Sequence, residues 1–134
     1  MKLDVVQPDP FLRRVWWADA AVSAVVGAAM AAAAGPLAAF IGLPERLLAA
    51  AGLALLPYAA FLAWLATRRS VPRLAAWLPV PINVLWAIDC VAVVATQPSA
   101  GAALIAFIAV QVVTVLAFAE LEYVGVRRLS RVAA

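Results

Sequence analysis

The sequence contains no histidine and only one cysteine, Cys90. Without histidine, the chain lacks the commonest metal ligand, the usual haem ligand and the usual general base. A single cysteine forms neither an intrachain disulfide nor a Cys-x-x-Cys redox motif, and as a nucleophile it would need a nearby base. We therefore expect no catalytic residue, no metal site and no cofactor, which favours a non-enzymatic protein over an enzyme.

Charged residues are also scarce. Only 13% of the 134 residues are charged, whereas 68% are hydrophobic. A soluble domain carries about a quarter charged residues, and one of this length cannot bury so much apolar surface. We therefore expect the lipid bilayer to surround much of the chain. The net charge is +3, but the basic residues stand at the ends of apolar runs, so we expect no nucleic-acid binding.

Four apolar runs are long enough to cross a membrane. Asp9-Pro10 predicts an N-cap followed by proline at the first helical position, and Gly35-Pro36 predicts a helix end. The apolar segment 37–43 is too short to span and predicts an interfacial loop or a brief helix. The pattern predicts an all-α fold, a four-helix transmembrane bundle forming one domain over residues 1–134. The predicted helices cover residues 10–34, 44–67, 81–97 and 99–126, with 72–78 at the membrane interface.

The basic residues predict an orientation. They precede the first helix, lie between the second and third, and follow the fourth, whereas the other two loops carry only Arg46. Because cytoplasmic loops are enriched in Arg and Lys, both termini are predicted to be cytoplasmic. The alanine- and arginine-rich composition favours a bacterial inner membrane. The residues on the predicted cytoplasmic side are Lys2, Arg13, Arg14, Arg68, Arg69, Arg73, Arg127, Arg128 and Arg131.

Asp89 lies in the middle of the third apolar run, after Trp86 and before Cys90. A central Asp opposes insertion by about 2.5–3.5 kcal/mol, which cancels most of the roughly 2.4–4.8 kcal/mol from the eight Leu, Ile and Val residues of segment 80–96. We expect Asp89 to face the bundle interior, to be protonated, or both. It is either a site for a proton, a cation or a ligand headgroup, or a hydrogen-bonded residue that fixes the helix against a neighbour.

Other polar residues interrupt the apolar runs. Asp19 and Ser23 share a face of the first helix, a pattern that favours close helix packing. Gln111 is deep in the fourth helix and needs a partner, for which Asn83 or Asp89 is the natural candidate. The candidate intramembrane polar site therefore comprises Asp19, Asn83, Asp89, Gln111 and Thr114.

Two glutamates lie near the end of the fourth helix. Glu122 continues the face that carries Gln111 and Thr114, whereas Glu120 points nearly opposite to Gln111. We expect both glutamates to meet the following arginines or water, because charges near helix ends reach the interface at little cost.

Two patterns relate the helices to one another and to other proteins. Trp16-x-x-Asp19 matches Trp86-x-x-Asp89, so the bundle either consists of two parallel helical hairpins or contains a chance match in a simple sequence. Two further segments carry a resemblance, the Leu-Pro-Tyr of the second helix and the fourth-helix ending Ala-Glu-Leu-Glu-Tyr-Val-Gly-Val-Arg-Arg. In these segments the chain resembles short bacterial four-helix proteins described as integral membrane proteins. This resemblance implies an inner-membrane location and no named activity.

Three functions fit these features. In the first, the chain is a small non-enzymatic subunit or scaffold that packs against itself or another membrane protein. In the second, it is a homo-oligomeric transporter or channel for protons, cations or small solutes, with Asp89 on the pathway and Asp19 or Gln111 lining it. In the third, it binds a lipid or another hydrophobic ligand.

Overall fold

The computed structural model describes residues 4–129, so Lys2 and Arg131 lie outside the described range. Within that range, four helical segments are long and apolar enough to cross a membrane. Three of them are the single helices α1 (Pro10–Ala32), α3 (Glu45–Thr67) and α6 (Ala102–Arg127). The fourth combines the short α4 (Arg73–Trp77) with α5 (Pro79–Ala95). The predicted all-helical character is therefore confirmed.

The first helix begins as its sequence predicts but ends earlier. The Asp9 side chain accepts a hydrogen bond from the backbone N–H of Leu12 at 2.8 Å, and Pro10 is the first helical residue. The break falls at Ala33, and Gly35-Pro36 lies inside the first turn of the short helix α2 (Ala34–Ile41). Proline is tolerated there because first-turn N–H groups have no partner within the helix.

The third predicted span is longer than its proline content suggests. We placed its start at Pro81, but the backbone is already helical at Arg73 and stays helical through Leu78, with φ −56° and ψ −38°. Pro79 opens α5, at a position where a missing N–H costs little. α4 and α5 together contain 23 residues, or about 34 Å at 1.5 Å per residue, which is enough to span a bilayer.

The helices pack chiefly as two pairs. α1 contacts α3 far more extensively than any other helix, and α5 contacts α6 in the second-largest interface. Gly27 and Gly52 face each other where α1 crosses α3, and a Cβ atom added to Gly52 would lie 2.6 Å from the Gly27 carbonyl oxygen. Small residues at such a crossing let two helix backbones approach closely.

One end of the molecule is covered by the N-terminal arm. Strand β1 (Val5–Val6) pairs in antiparallel fashion with strand β2 (Val71–Pro72), which lies between α3 and α4. Val6 and Val71 are fully buried in a core cluster with Leu12, Trp16 and residues of α3, α4 and α6. This cover buries one face of the nearby ends of α1, α3 and α6.

Candidate functional site

Five polar side chains meet inside the molecule, and four different helices supply them. They are Asp19 and Ser23 from α1, Tyr58 from α3, Asn83 from α5 and Glu122 from α6. Glu122 has no exposed surface, and Asp19 and Asn83 are each only 2% exposed. We call this group the polar cluster. Because each member comes from an otherwise apolar helix, the cluster fixes how the four helices are rotated about their own axes.

Asp19 is the principal hydrogen-bond acceptor of the polar cluster. Its Oδ1 accepts from the Ser23 hydroxyl at 3.1 Å, one helical turn away on the same face. Its Oδ2 accepts from the Tyr58 hydroxyl at 3.1 Å and from the Asn83 Nδ2 at 3.0 Å. The Asp19 carboxyl group therefore has three donors from three helices, for the roughly four lone-pair sites that a carboxylate offers.

Asn83 joins the two acidic residues. Its Nδ2 also donates to Glu122 Oε2 at 2.9 Å and lies 3.1 Å from the Tyr58 hydroxyl oxygen. Because the Asn83 Nδ2 donates to Glu122 at 2.9 Å and to Asp19 at 3.0 Å, the two carboxyl groups are held close together. All the side chains that donate to these two groups within residues 4–129 are neutral hydroxyls and an amide.

The sequence identified two members of the polar cluster and missed three. Asp19 and Asn83 were candidate residues, and Ser23 was assigned to the same face as Asp19. Tyr58 carried no signal beyond being a polar group within an apolar run. The expectation for Glu122 was wrong, because it is buried in the cluster and does not reach the arginines or water. Its position on the face of Gln111 and Thr114 was the available signal.

Gln111 and Thr114 lie beside the polar cluster but are not part of it. Gln111 accepts from the Trp86 indole N–H at 2.8 Å, so neither predicted partner, Asn83 nor Asp89, bonds to it. Thr114 donates to the carbonyl of Val110 in its own helix at 2.7 Å. Both residues line a small cavity of about 160 Å³ together with Asp19. The structure thus brings these three candidate residues to one space without joining them by hydrogen bonds.

Asp89 is oriented differently from our expectation. It is exposed on α5, as Leu85, Ile88 and Val91 are, and it lines an open cleft instead of a closed interior. The reason is geometric, because Asn83 and Asp89 are six residues apart and point about 120° away from each other on a helix. With Asn83 turned into the polar cluster, Asp89 is directed away from that cluster.

A larger cleft opens beside Asp89. It has a volume of about 440 Å³ and lies between the α1–α3 pair and the α5–α6 pair, at the end remote from β1 and β2. Most of its lining is apolar, and the polar exceptions are Asp89, Thr96 and Gln111. The buried thiol of Cys90 also lines it. A volume of this size is in the usual range for sites that bind small molecules.

Trp86 stands between the cleft and the polar cluster. Its side chain lines the cleft, the cavity beside Asp19 and a third cavity of about 200 Å³ that also borders Tyr58 and Asn83. The hydrogen bond to Gln111 holds the indole ring in this position. Asp89 and Asp19 therefore border separate spaces, whereas Gln111 lines both the cleft that contains Asp89 and the cavity that contains Asp19.

Known proteins supply no template for this arrangement. No protein-family model, no curated protein and no solved structure matches the chain. Within residues 4–129, the structure also contains no group of three or more acidic, cysteine or histidine side chains suited to hold a metal ion. The features that bear on function are the polar cluster, the cleft and the surface of α5.

Proposed function

We propose that the chain is a four-helix transmembrane protein of a bacterial inner membrane, with both termini in the cytoplasm. The arginine-rich segments support this orientation because they gather at one end. The backbone N–H of Arg73 donates to the Asp4 carbonyl at 2.7 Å, and the Arg128 guanidinium lies 5.5 Å from the centre of the Phe11 ring. The N-terminal arm, the central loop and the end of α6 therefore share one side, as the enrichment of cytoplasmic segments in arginine requires.

Within that membrane, we infer that the protein acts without catalysis, as a subunit of a larger membrane assembly. The observation that carries this proposal is the position of Asp89. Asp89 is exposed where the open cleft meets the exposed side chain of Ile88. An exposed carboxyl group in lipid is costly, and acidic residues within spans almost always face protein or a water-filled cavity. A partner that covers the α5 face removes this cost if it offers a hydrogen-bond donor at that depth.

The partner is proposed to be a different membrane protein, with a spanning helix that carries a basic, amide or hydroxyl side chain. A symmetric pair of this chain would place the same α5 surface on both sides of the interface. Asp89 would then meet a second Asp89. A donor from another chain gives the complementary charge or hydrogen bond that a second copy does not offer.

Photo-crosslinking in native membranes tests this proposal. A photoreactive residue in place of Ile88, 56% exposed on α5, is expected to capture a membrane protein of different mass. The same residue in place of Val25, 69% exposed on α1, serves as the position control. Asp89→Leu is expected to remove the Ile88 crosslink, whereas Glu120→Leu, which removes another exposed acid, leaves it unchanged. A crosslink that joins only two copies of this chain contradicts the proposal, as does an Ile88 crosslink whose yield is unchanged in Asp89→Leu.

A second candidate function is favoured by the cleft. An amphipathic ligand with an apolar chain fits a lining of Met30, Leu48, Phe107 and Ile108, with its polar group near Asp89. Native mass spectrometry of protein extracted gently from its own membranes distinguishes the two candidates. A protein partner in the complex supports the subunit, and a retained small molecule on the isolated chain supports the ligand binder.

A further inference from the structure

Two buried side-chain atoms in the described range 4–129 have no hydrogen-bond partner, the Trp16 indole nitrogen and Glu122 Oε1. Glu122 is fully buried within the polar cluster, and among the described residues its other oxygen has a single donor, the Asn83 amide. If Glu122 were ionised, one of its charged oxygens would have no hydrogen-bond donor in an apolar interior, which is strongly unfavourable. The hydrogen-bond pattern around Glu122 therefore suits a neutral acid.

Asp19 shows the opposite pattern, although it belongs to the same cluster. Ser23, Tyr58 and Asn83 all direct hydrogen atoms toward its two oxygens. Donors of this kind favour the charged form of a carboxyl group. Asp19 and Glu122 share the Asn83 amide donor but differ clearly in their other donors. They are therefore expected to hold different protonation states, because two neighbouring buried charges repel each other.

We propose that Asp19 and Glu122 form a proton-sharing pair, in which Glu122 carries the proton and Asp19 carries the charge. The Glu122 hydroxyl then donates to the Asp19 carboxylate and adds a fourth donor to that group. A buried carboxylic acid of this kind meets the chemical requirement for a group that takes up and releases a proton inside a membrane. This inference is independent of the proposed role of Asp89.

The surroundings favour a proton over a metal cation at this place. The Asn83 amide hydrogens point toward both carboxyl groups, where they would repel a cation held between them. The other titratable group facing the pair is the Tyr58 hydroxyl on α3. Two nearby arginines contact other groups at the helix ends. Arg13 donates to the Ala66 carbonyl at 2.7 Å, and Arg127 lies 5.6 Å from the centre of the Tyr123 ring.

Infrared spectroscopy of isotope-labelled protein tests the pair. The chain contains three glutamates, Glu45, Glu120 and Glu122. Protein made by cell-free synthesis with ¹³C-carboxyl glutamate and reconstituted in phosphatidylcholine vesicles is expected, at neutral pH, to show the C=O stretch of a protonated carboxylic acid. This band is expected at a lower frequency than in unlabelled protein. Because the label changes no atom type, this measurement does not depend on any variant folding.

Two variants locate the proton. Glu122→Gln is expected to remove the glutamate acid band, whereas Glu120→Gln, two residues away and exposed, is expected to retain it. The absence of a glutamate acid band at neutral pH overturns the proposal, as does a band that persists in Glu122→Gln. A band that appears only when sodium is replaced by choline also overturns it, since the pair would then bind a cation in place of the proton.

Discussion

Replacing Gly52 by alanine is expected to destabilise the protein by about 1–3 kcal/mol, the usual cost of overpacking a tight interface. An added Cβ at this position would lie 2.7 Å from the Ala31 backbone nitrogen and 2.8 Å from the Met30 Cβ. These atoms belong to the α1 backbone or lie next to it, so no side chain can rotate away, and α1 and α3 would have to separate. The free energy of unfolding in mixed micelles measures the loss, and Gly52→Val is expected to lose more.

Gly35→Ala is the matched control for this prediction. Gly35 is also helical, but the nearest atom to an added Cβ there is the Glu45 carboxyl oxygen at 3.5 Å, an ordinary contact. Because alanine favours helices over glycine, this change is expected to be neutral or slightly stabilising. If Gly52→Ala is as stable as Gly35→Ala, the close crossing of α1 and α3 is wrong.

The second large effect is expected at Asn83, because its one amide group joins α5 to three other helices. Asn83→Ala removes the only protein donor to Glu122 Oε2 within residues 4–129 and one of the three donors to Asp19. Loss of one partner from a buried polar network costs about 1–3 kcal/mol, although interhelical hydrogen bonds in membranes average nearer 0.6 kcal/mol each. We expect a loss of about 2 kcal/mol in the same unfolding measurement.

Thr114→Val separates this effect from the general loss of a polar side chain. The Thr114 hydroxyl bonds only to its own helix within residues 4–129, so its removal is expected to change stability by less than about 0.5 kcal/mol. A double variant of Asn83→Ala with Glu122→Gln then measures their coupling, which is expected to be clearly non-zero because the two side chains are in contact. Equal effects of Asn83→Ala and Thr114→Val, or additivity in the double variant, contradict the network.

The sequence was sufficient to predict the helices, because the length and hydropathy of an apolar run and the arginines at its ends can be read from neighbouring residues alone. The structure has helical segments at all four predicted places and an N-cap at Asp9. The main error concerned residues 73–81, where two prolines suggested a break. Proline disrupts a helix only where its missing N–H or its ring conflicts with a preceding turn, and the first turn of α5 tolerates it.

The two Trp-x-x-Asp motifs show why the site was harder to predict. Asp19 and Asp89 occupy equivalent motif positions, yet Asp19 is buried and Asp89 is exposed. The rotation of α5 is fixed by Asn83, whose partners come from helices that are distant in sequence. A local sequence pattern does not predict which of two polar residues on a helix forms hydrogen bonds with such distant partners.

Glu122 was misplaced for a related reason. Depth in the membrane was judged from its distance to the end of α6, and charges near helix ends usually reach water. One face of the end of α6, with Glu122, Gly125 and Val126, is buried here, because Leu12 packs against Gly125 and the N-terminal strand covers the neighbouring core. That cover depends on the pairing of Val5–Val6 with Val71–Pro72, which hydropathy does not reveal.

The central claim is that four helices cross a membrane with the arginine-rich end in the cytoplasm, and cysteine accessibility tests it most directly. Because Cys90 is the only cysteine, Cys90→Ala gives a background free of thiols. In intact cells, a membrane-impermeant maleimide is expected to label Ser99→Cys, in the turn before α6. It is expected to label Ser70→Cys, in the arginine-rich loop, only after the membrane is opened. Labelling of both positions in intact cells, or of Ser70→Cys alone, would contradict the account.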